Sequence, residues 1–208
     1  MREWLANISI WYILGAIVIL LAARLILGRL KTPSAKPAAE FAESALIAIV
    51  LVFLVIRPFI VQAFYIPSGS MLPTLLIRDQ ILVNKFVYRF HEPAHGDIVV
   101  FKSPKWASGD MIVRDYIKRL VGLPGDVIEV KDGAVYRNGK RLNEPYINEP
   151  YINYDMEPVR VPKGELFVMG DNRNDSNDSH RWGPLNRNRV IGKTMVRFWP
   201  LNRIGLVH

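Results

Sequence analysis

Trp4 to Ala23 is an uncharged, mostly apolar run of twenty residues, and it constrains everything that follows. At about 1.5 Å per residue, a helix of that length covers the roughly 30 Å hydrocarbon core of a bilayer. Trp4, Trp11 and Tyr12 gather toward its start, where amphipathic rings favour the membrane interface. The apolar part of a cleaved leader is shorter, about 7 to 15 residues, so residues 1–30 read as a retained anchor with its flanks. A second run, Phe41 to about Ile60, holds a clean apolar block from Ala45 to Ile56 and then Arg57-Pro58. A guanidinium at mid-membrane is costly, so Arg57 reads as the exit, its head group reaching back to the interface. The competing reading of residues 41–60 is a buried helix of the soluble part. Residues 31–40, rich in Ala, Pro and Lys, read as a connector. Arg24, Arg29, Lys31 and Lys36 gather there, and the bias of positive charge toward the cytoplasm puts the connector on that side. The N-terminus and residues 61–208 then lie outside.

Beyond Ser70 the pattern changes to short runs rich in Val, Ile, Phe and Tyr: Gln80 to Val87, Asp97 to Lys102, Met111 to Val121, Asp126 to Lys131, Ala134 to Arg137, Glu165 to Met169 and Val190 to Phe198. Glycine turns punctuate them, and the closely spaced Asp132-Gly133 and Asn138-Gly139 predict successive hairpins. No stretch there keeps a helical period. The fold class predicted is mainly β, a coiled antiparallel sheet or barrel-like extracytoplasmic domain preceded by two transmembrane helices. The chain has no cysteine, so disulfides and thiolate metal sites are excluded. Net charge is +8, and Ser179 to His208 holds six basic residues and no carboxylate side chain. Beside membrane segments, and without a nucleic-acid motif, such a stretch fits anionic lipid better than nucleic acid; an ordinary solvated face is the alternative.

The chemistry centres on Pro67-Ser68-Gly69-Ser70-Met71-Leu72-Pro73-Thr74-Leu75. A Ser/Gly/Pro cluster is most often only a loop. As a site, it offers Ser70 as a nucleophile after a permissive glycine, with the Ser70 N–H and the Ser68 hydroxyl as oxyanion donors. A serine nucleophile needs a base. None of His91, His95, His180 and His208 lies in a serine-protease signature, although a Ser/His/Asp arrangement through His180 remains a rival. Lys118 is the other candidate, because burial disfavours an ammonium and lowers its pKa from near 10.4. On spacing alone it also reads as a solvent-facing strand lysine, the commoner case. Adjacent Lys118 and Arg119 must point to opposite faces of a strand. The polar stretch Gly170 to His180 looks like a calcium loop, yet Arg173 occupies a ligand position and the glycine at the sixth position is missing. A hydrogen-bonded turn in which Ser176 steadies the amine is the alternative.

Four blocks in order, Pro67 to Leu75, Gly96 to Phe101, Lys118 to Asp126 and Gly170 to Ser179, resemble the bacterial type I signal peptidases, or leader peptidases, over most of the chain after Phe59. The resemblance implies Ser70 as nucleophile, Lys118 as general base, Ser68 in the oxyanion hole and Ser176 orienting the lysine. It implies Arg119 and Asp171 as a supporting charged pair and Asp178 as a further supporting carboxylate. Where the best-known members carry an arginine two residues after that carboxylate, this chain has His180 and then Arg181. The implied accessory β region is small, about residues 125–163. The implied activity is membrane-bound removal of signal peptides from exported preproteins through an acyl-enzyme, with no metal and no organic cofactor. Small side chains before the cut imply shallow pockets, for which Phe64 to Pro67 and Asp115 to Ile117 are the candidates. The expected partners are such preproteins and membrane lipid, not nucleic acid, and the expected location is the inner membrane.

Overall fold

The computed structural model describes residues 10–30, 32, 35–56, 60–147, 149 and 151–208. It divides into an N-terminal helical unit and a β unit that begins at Ala63.

In the first unit α1 (Ile10–Arg29) and α2 (Ala35–Val50) pack against each other, and α2 continues into a π-helical turn, Leu51–Ile56. Among the described residues one helix, Trp11–Arg29, is long and apolar enough to cross a membrane. The described residues thus supply one candidate of the expected pair, because α2 keeps α-helical geometry for 16 residues before its π-helical turn. It carries Lys36, Glu40 and Glu43, and Glu43 pairs with Arg24 of α1 at 2.7 Å. The apolar block Ala45 to Ile56 extends roughly 18 Å at about 1.5 Å per residue, and residues 57–59 of the predicted span lie outside the described residues. The helix also begins inside the stretch read as a connector. Pro37 falls in its first turn, where proline has no intrahelical bond to lose. Trp4 and Arg57 lie outside the described residues.

The β unit is mainly antiparallel sheet, as the turn-punctuated pattern predicts. β1 (Val61–Tyr65), β2 (Gln80–Asn84), β3 (Ile98–Lys102), β4 (Asp115–Gly122), β9 (Glu165–Met169), β10 (Leu185–Asn186), β11 (Val190–Trp199) and β12 (Gly205–Leu206) form one sheet. Its order is β1-β2-β11-β3-β4-β9-β10, with β12 on β11. Register shifts in β4 and β11 add the twist that coils such a sheet. A smaller sheet is made by β5 (Val127–Lys131), β6 (Ala134–Arg137), β7 (Lys140–Arg141) and β8 (Met156–Arg160), in the order β7-β6-β5-β8. Its hairpins turn at Asp132-Gly133 and Asn138-Gly139, all four residues at positive φ, the geometry that makes Asn-Gly and Asp-Gly the preferred hairpin pairs.

Ile98, Val99, Val100 and Phe101 are all buried because the two faces of β3 meet different cores. Ile98 and Val100 pack with Ile66, Met71 and Leu75, whereas Val99 and Phe101 pack with Leu120 and Trp182. Likewise β9 sends Leu166 and Val168 to the second core and Phe167 and Met169 to a third, shared with Ile128 and Val135 of the small sheet. β4 lies between β3 and β9, and its residues from Ile117 to Gly122 are buried on both faces of the sheet. The basic C-terminal stretch is spent largely on this fold. Arg203 pairs with Asp79, Arg187 with Glu92 and Lys193 with Asp97. Arg197 donates to the Thr74 carbonyl, Arg189 to the Ser103 carbonyl and Arg181 to His180. The lipid-facing role expected of that stretch thus competes with six partners inside the domain.

Candidate active site

Ser70 sits in the connection between β1 and β2. Ile66, Met71 and Leu75 are buried in the first core and pin this segment from below. The Leu72 N–H donates to the Gly69 carbonyl at 3.1 Å and the Leu75 N–H to the Met71 carbonyl at 2.9 Å, so the backbone turns tightly and presents Ser70 half-buried at the surface. A second segment clamps it from the side. Asn172 donates its backbone N–H to the Ser70 carbonyl at 3.1 Å and its side-chain Nδ2 to the Gly69 carbonyl at 3.1 Å. The clamp approaches closely because residue 170 is glycine: a Cβ there would fall 2.4 Å from the Ser70 carbonyl oxygen and 2.3 Å from Ser176 Oγ, distances that no side chain can occupy.

Lys118 arrives from β4, opposite Val99 of β3, and only 4% of it is exposed. Its Nζ lies 2.6 Å from Ser70 Oγ and 3.0 Å from the Ile117 carbonyl oxygen, so the solvent-facing reading of this lysine is overturned. Burial pushes the ammonium down from 10.5 to about 8, against the charges of Asp178 and Asp171, which raise it. As an ammonium, Lys118 donates to the hydroxyl; as a free amine it accepts from it, which is the geometry of a general base. Ser70 and Lys118 open on a cleft of about 370 Å³, with Pro67, Ser68, Tyr116 and Ile117 also on its wall. Pro67 and Asp115 to Ile117 line the cleft as expected, whereas Phe64 packs against the first core. A larger hollow of about 590 Å³ lies along the small sheet, lined by residues between Gly133 and Glu149, and holds neither Ser70 nor Lys118.

Arg119 is on the other face and is also buried. Its Nε and Nη2 each donate to one oxygen of Asp171 at 2.7 Å, a bidentate pair. Nη1 reaches the Gly96 carbonyl and Nη2 the His208 carbonyl. Thr74 Oγ1, three residues past the Ser70 turn, donates to Asp171 Oδ2 at 2.5 Å. Asp178 is buried beneath the same loop. Burial alone would raise its pKa, but His180, the Gly170 N–H and nearby Ser176 together hold it below the ordinary carboxylate value. Its partner is His180, whose Nδ1 lies 2.7 Å from Asp178 Oδ1. The His180 ring stacks on Tyr154 at 4.4 Å between centroids, and its Nε2 accepts from Arg181. Both ring nitrogens of His180 are thus engaged, one by Asp178 and one by Arg181.

Ser68 is exposed on the wall of the cleft, two residues before Ser70. Ser176 differs from expectation. Its Oγ is buried and makes no hydrogen bond to the lysine among the described residues; the amine's partners there are Ser70 and Ile117. Sequence reasoning also missed residues that build the site. Asn172 lies inside a recognised block without an assigned task. Arg173 was weighed only as a misfit among calcium ligands, yet it is fully buried. Glu144, its partner at 2.7 Å, carries no signal in the sequence.

Residues 38–199 match the signal peptidase family, peptidase S26. Relatives include a probable signal peptidase I-1 of Synechocystis sp., 48% identical over 77% of this chain and 82% of that one. A probable signal peptidase I-2 of the same organism is 44% identical over 81% of this chain and 76% of that one. The signal peptidase I of Leptolyngbya laminosa is 43% identical over 84% of this chain and 91% of that one.

Proposed function

The chain belongs to the signal peptidase family, peptidase S26, and we propose that it removes signal peptides with Ser70 as nucleophile and Lys118 as general base. The enzyme is a signal peptidase I, a serine protease acting on preproteins that carry signal peptides. The observation that carries the mechanism is the 2.6 Å contact between the Ser70 hydroxyl and a lysine amine withdrawn from water.

Neutral Lys118 takes the Ser70 proton as Oγ attacks the carbonyl carbon before the cut. The resulting oxyanion is met by the Ser70 N–H and the Ser68 hydroxyl on the same wall. Collapse breaks the C–N bond, and Lys118 returns the proton to the departing amine of the mature chain. Water then attacks the acyl-enzyme, losing a proton to Lys118; the ester C–Oγ bond breaks, Lys118 returns that proton to Ser70, and the signal peptide leaves as its carboxylic acid. Ser176, buried and unbonded, supplies the hydroxyl that holds the amine as it swings from Ser70 to the leaving nitrogen. Arg119, Asp171 and Asp178 keep the loop rigid without touching the reacting atoms. The helical unit anchors the enzyme in the cell membrane. The basic residues Arg24, Arg29 and Lys36 favour the cytoplasm for the connection between α1 and α2, and with Phe41 to Ile60 as a second crossing the β unit lies outside.

The test is cleavage of a purified preprotein by the full chain in detergent micelles, comparing wild type with Ser70→Ala, Lys118→Ala and His180→Ala. The first two lose at least about a thousandfold in kcat, and the third keeps substantial turnover. Processing that survives Lys118→Ala but not His180→Ala replaces this base with the histidine.

A further inference from the structure

Three residues of the small sheet's β7–β8 connection, Glu144-Pro145-Tyr146, reach across to the loop that clamps Ser70. The Glu144 carboxylate receives both terminal nitrogens of Arg173, at 2.7 and 2.9 Å, and the Tyr146 hydroxyl at 2.7 Å. Arg173 spends its remaining nitrogen, Nε, on the Gly170 carbonyl at 2.8 Å. The Tyr146 ring lies over the Arg119 guanidinium, 3.8 Å from its carbon to the ring centroid, while Arg119 holds Asp171 in its own plane. One short turn thus braces residues 170, 171 and 173. Between them stands Asn172, whose two donors fix the carbonyls of Gly69 and Ser70.

These contacts are unusual in what they cost. A fully buried guanidinium is tolerated only with a partner that matches its charge and its fork of donors, and Arg173 has one only because the small sheet delivers Glu144. An aromatic face against Arg119 adds a cation–π contact on a side of the ion that the carboxylate does not cover. Neither Glu144 nor Tyr146 lines the cleft that holds Ser70 and Lys118, so neither is placed to meet substrate there.

We propose that Glu144 and Tyr146 are positioning residues for signal-peptide cleavage, locking the Gly170 to Arg173 segment so that Asn172 holds the Ser70 hydroxyl against the Lys118 amine. The small sheet is then part of the catalytic apparatus rather than an appendage. The proposal rests on the Ser70–Lys118 reading. When the lock is released, the loop withdraws from the dyad and water reaches the amine. The rate falls, and the acid limb of the pH profile moves upward, because a better-hydrated lysine gives up its proton at higher pH.

The test uses the full chain in micelles and a fluorogenic signal-peptide substrate, with kcat, KM and the pH profile recorded for Glu144→Ala, Glu144→Gln, Tyr146→Leu and Tyr146→Phe. Glu144→Ala loses about 10- to 100-fold in kcat with little change in KM, and its acid limb rises by several tenths of a pH unit or more. Glu144→Gln, which keeps an acceptor, recovers part of both. Tyr146→Phe, which keeps the ring, holds the limb in place, whereas Tyr146→Leu displaces it. A folded Glu144→Ala enzyme with the wild-type limb, its rate lowered only in proportion to the fraction folded, overturns the proposal. If Glu144→Ala does not fold, Tyr146→Leu decides: a displaced limb supports the lock and an undisplaced one overturns it. An active Lys118→Ala enzyme is a separate failure and retires the dyad together with its lock.

Discussion

Strand β4 carries two neighbouring cations, and the two faces of the sheet treat them in opposite ways. Arg119, 2% exposed, is matched by a carboxylate that takes both of its forked donors, by two carbonyls and by an aromatic face. Lys118, 4% exposed, has no ion-pair partner at its head group among the described residues; it touches a hydroxyl and a carbonyl and lies 5.6 Å from the Tyr116 ring centroid, and the two carboxylates that influence it act from a distance. Charge is kept on one face and discouraged on the other. The arginine cannot shed its proton, so its environment must supply a counter-ion. The lysine can, and the absence of a counter-ion turns an ordinary strand residue into a base.

The comparison breaks most severely if the arginine is left alone. Asp171→Ala strands a buried guanidinium, and loss of one partner from such a pair costs about 3 to 5 kcal/mol. Urea unfolding of the variant in micelles, followed by tryptophan fluorescence, reads that loss. Replacing both partners with apolar residues, Arg119→Met with Asp171→Leu, restores much of it. A double variant no more stable than Asp171→Ala would mean that the pair is not the unit argued here.

The lysine face gives the opposite sign. In the unfolded chain Lys118 keeps its proton up to about 10.5; folded, it gives it up near 8. Between those values the unfolded chain binds more protons, so stability rises with pH across this window, and below about 8 the full cost of burying the ammonium is present. At about 1.36 kcal/mol per pH unit, a fall from 10.5 to about 8 corresponds to about 3 kcal/mol. Lys118→Met, which cannot charge, is therefore more stable than wild type at pH 7 by up to that amount, with the gap closing toward pH 10.5, and it is inactive. A wild-type enzyme that matches or exceeds the methionine variant at pH 7 removes the claim that this face is hostile to charge.

The contrast between the two faces was half visible in the sequence. Alternation along a strand separates Lys118 from Arg119, and the motif blocks name Ser70, Asp171 and Asp178. The pairings that make the faces differ are long-range. Glu144 stands 29 residues from Arg173 in a stretch without periodicity, and no local rule connects them. Strand ends were lost to side-chain hydrogen bonds that compete with the ladder. β2 stops at Asn84 because its Oδ1 takes the N–H groups of Phe86 and Val87, an Asx turn. β4 begins at Asp115 rather than Met111 because Met111 has positive φ and Arg114 donates its N–H to Ser103 Oγ. β8, which is not among the predicted strands, carries Pro158, and proline is tolerated at the edge of a sheet, where β8 lies in the small one. Of the two membrane spans, only α1 is long and apolar enough among the described residues, because α2 gives way to a π-helical turn after 16 residues. Glu43 enters the apolar window and is held by Arg24, a pairing that a one-dimensional count of hydropathy does not see.

The smallest effect refines the electrostatics of the lysine face. The ascending limb of the wild-type pH–rate profile lies near 8, the value at which buried Lys118 loses its proton. The carboxylate that does most to raise that value is Asp178, and its partner is His180 at 2.7 Å. His180→Arg sets a permanent cation against Asp178, cancels part of its field at the amine and lets Lys118 deprotonate more readily. The limb should move down by a few tenths of a pH unit, with KM unchanged, because His180 is not among the residues lining the cleft. His180→Phe, which removes the ring nitrogens from Asp178 but keeps the stack on Tyr154, should leave the limb at or above its wild-type position. A limb that moves upward in the arginine variant would mean that Asp178 acts on Lys118 through the shape of the Gly170 loop rather than through its charge, and the two faces of β4 would then be coupled mechanically instead of electrostatically.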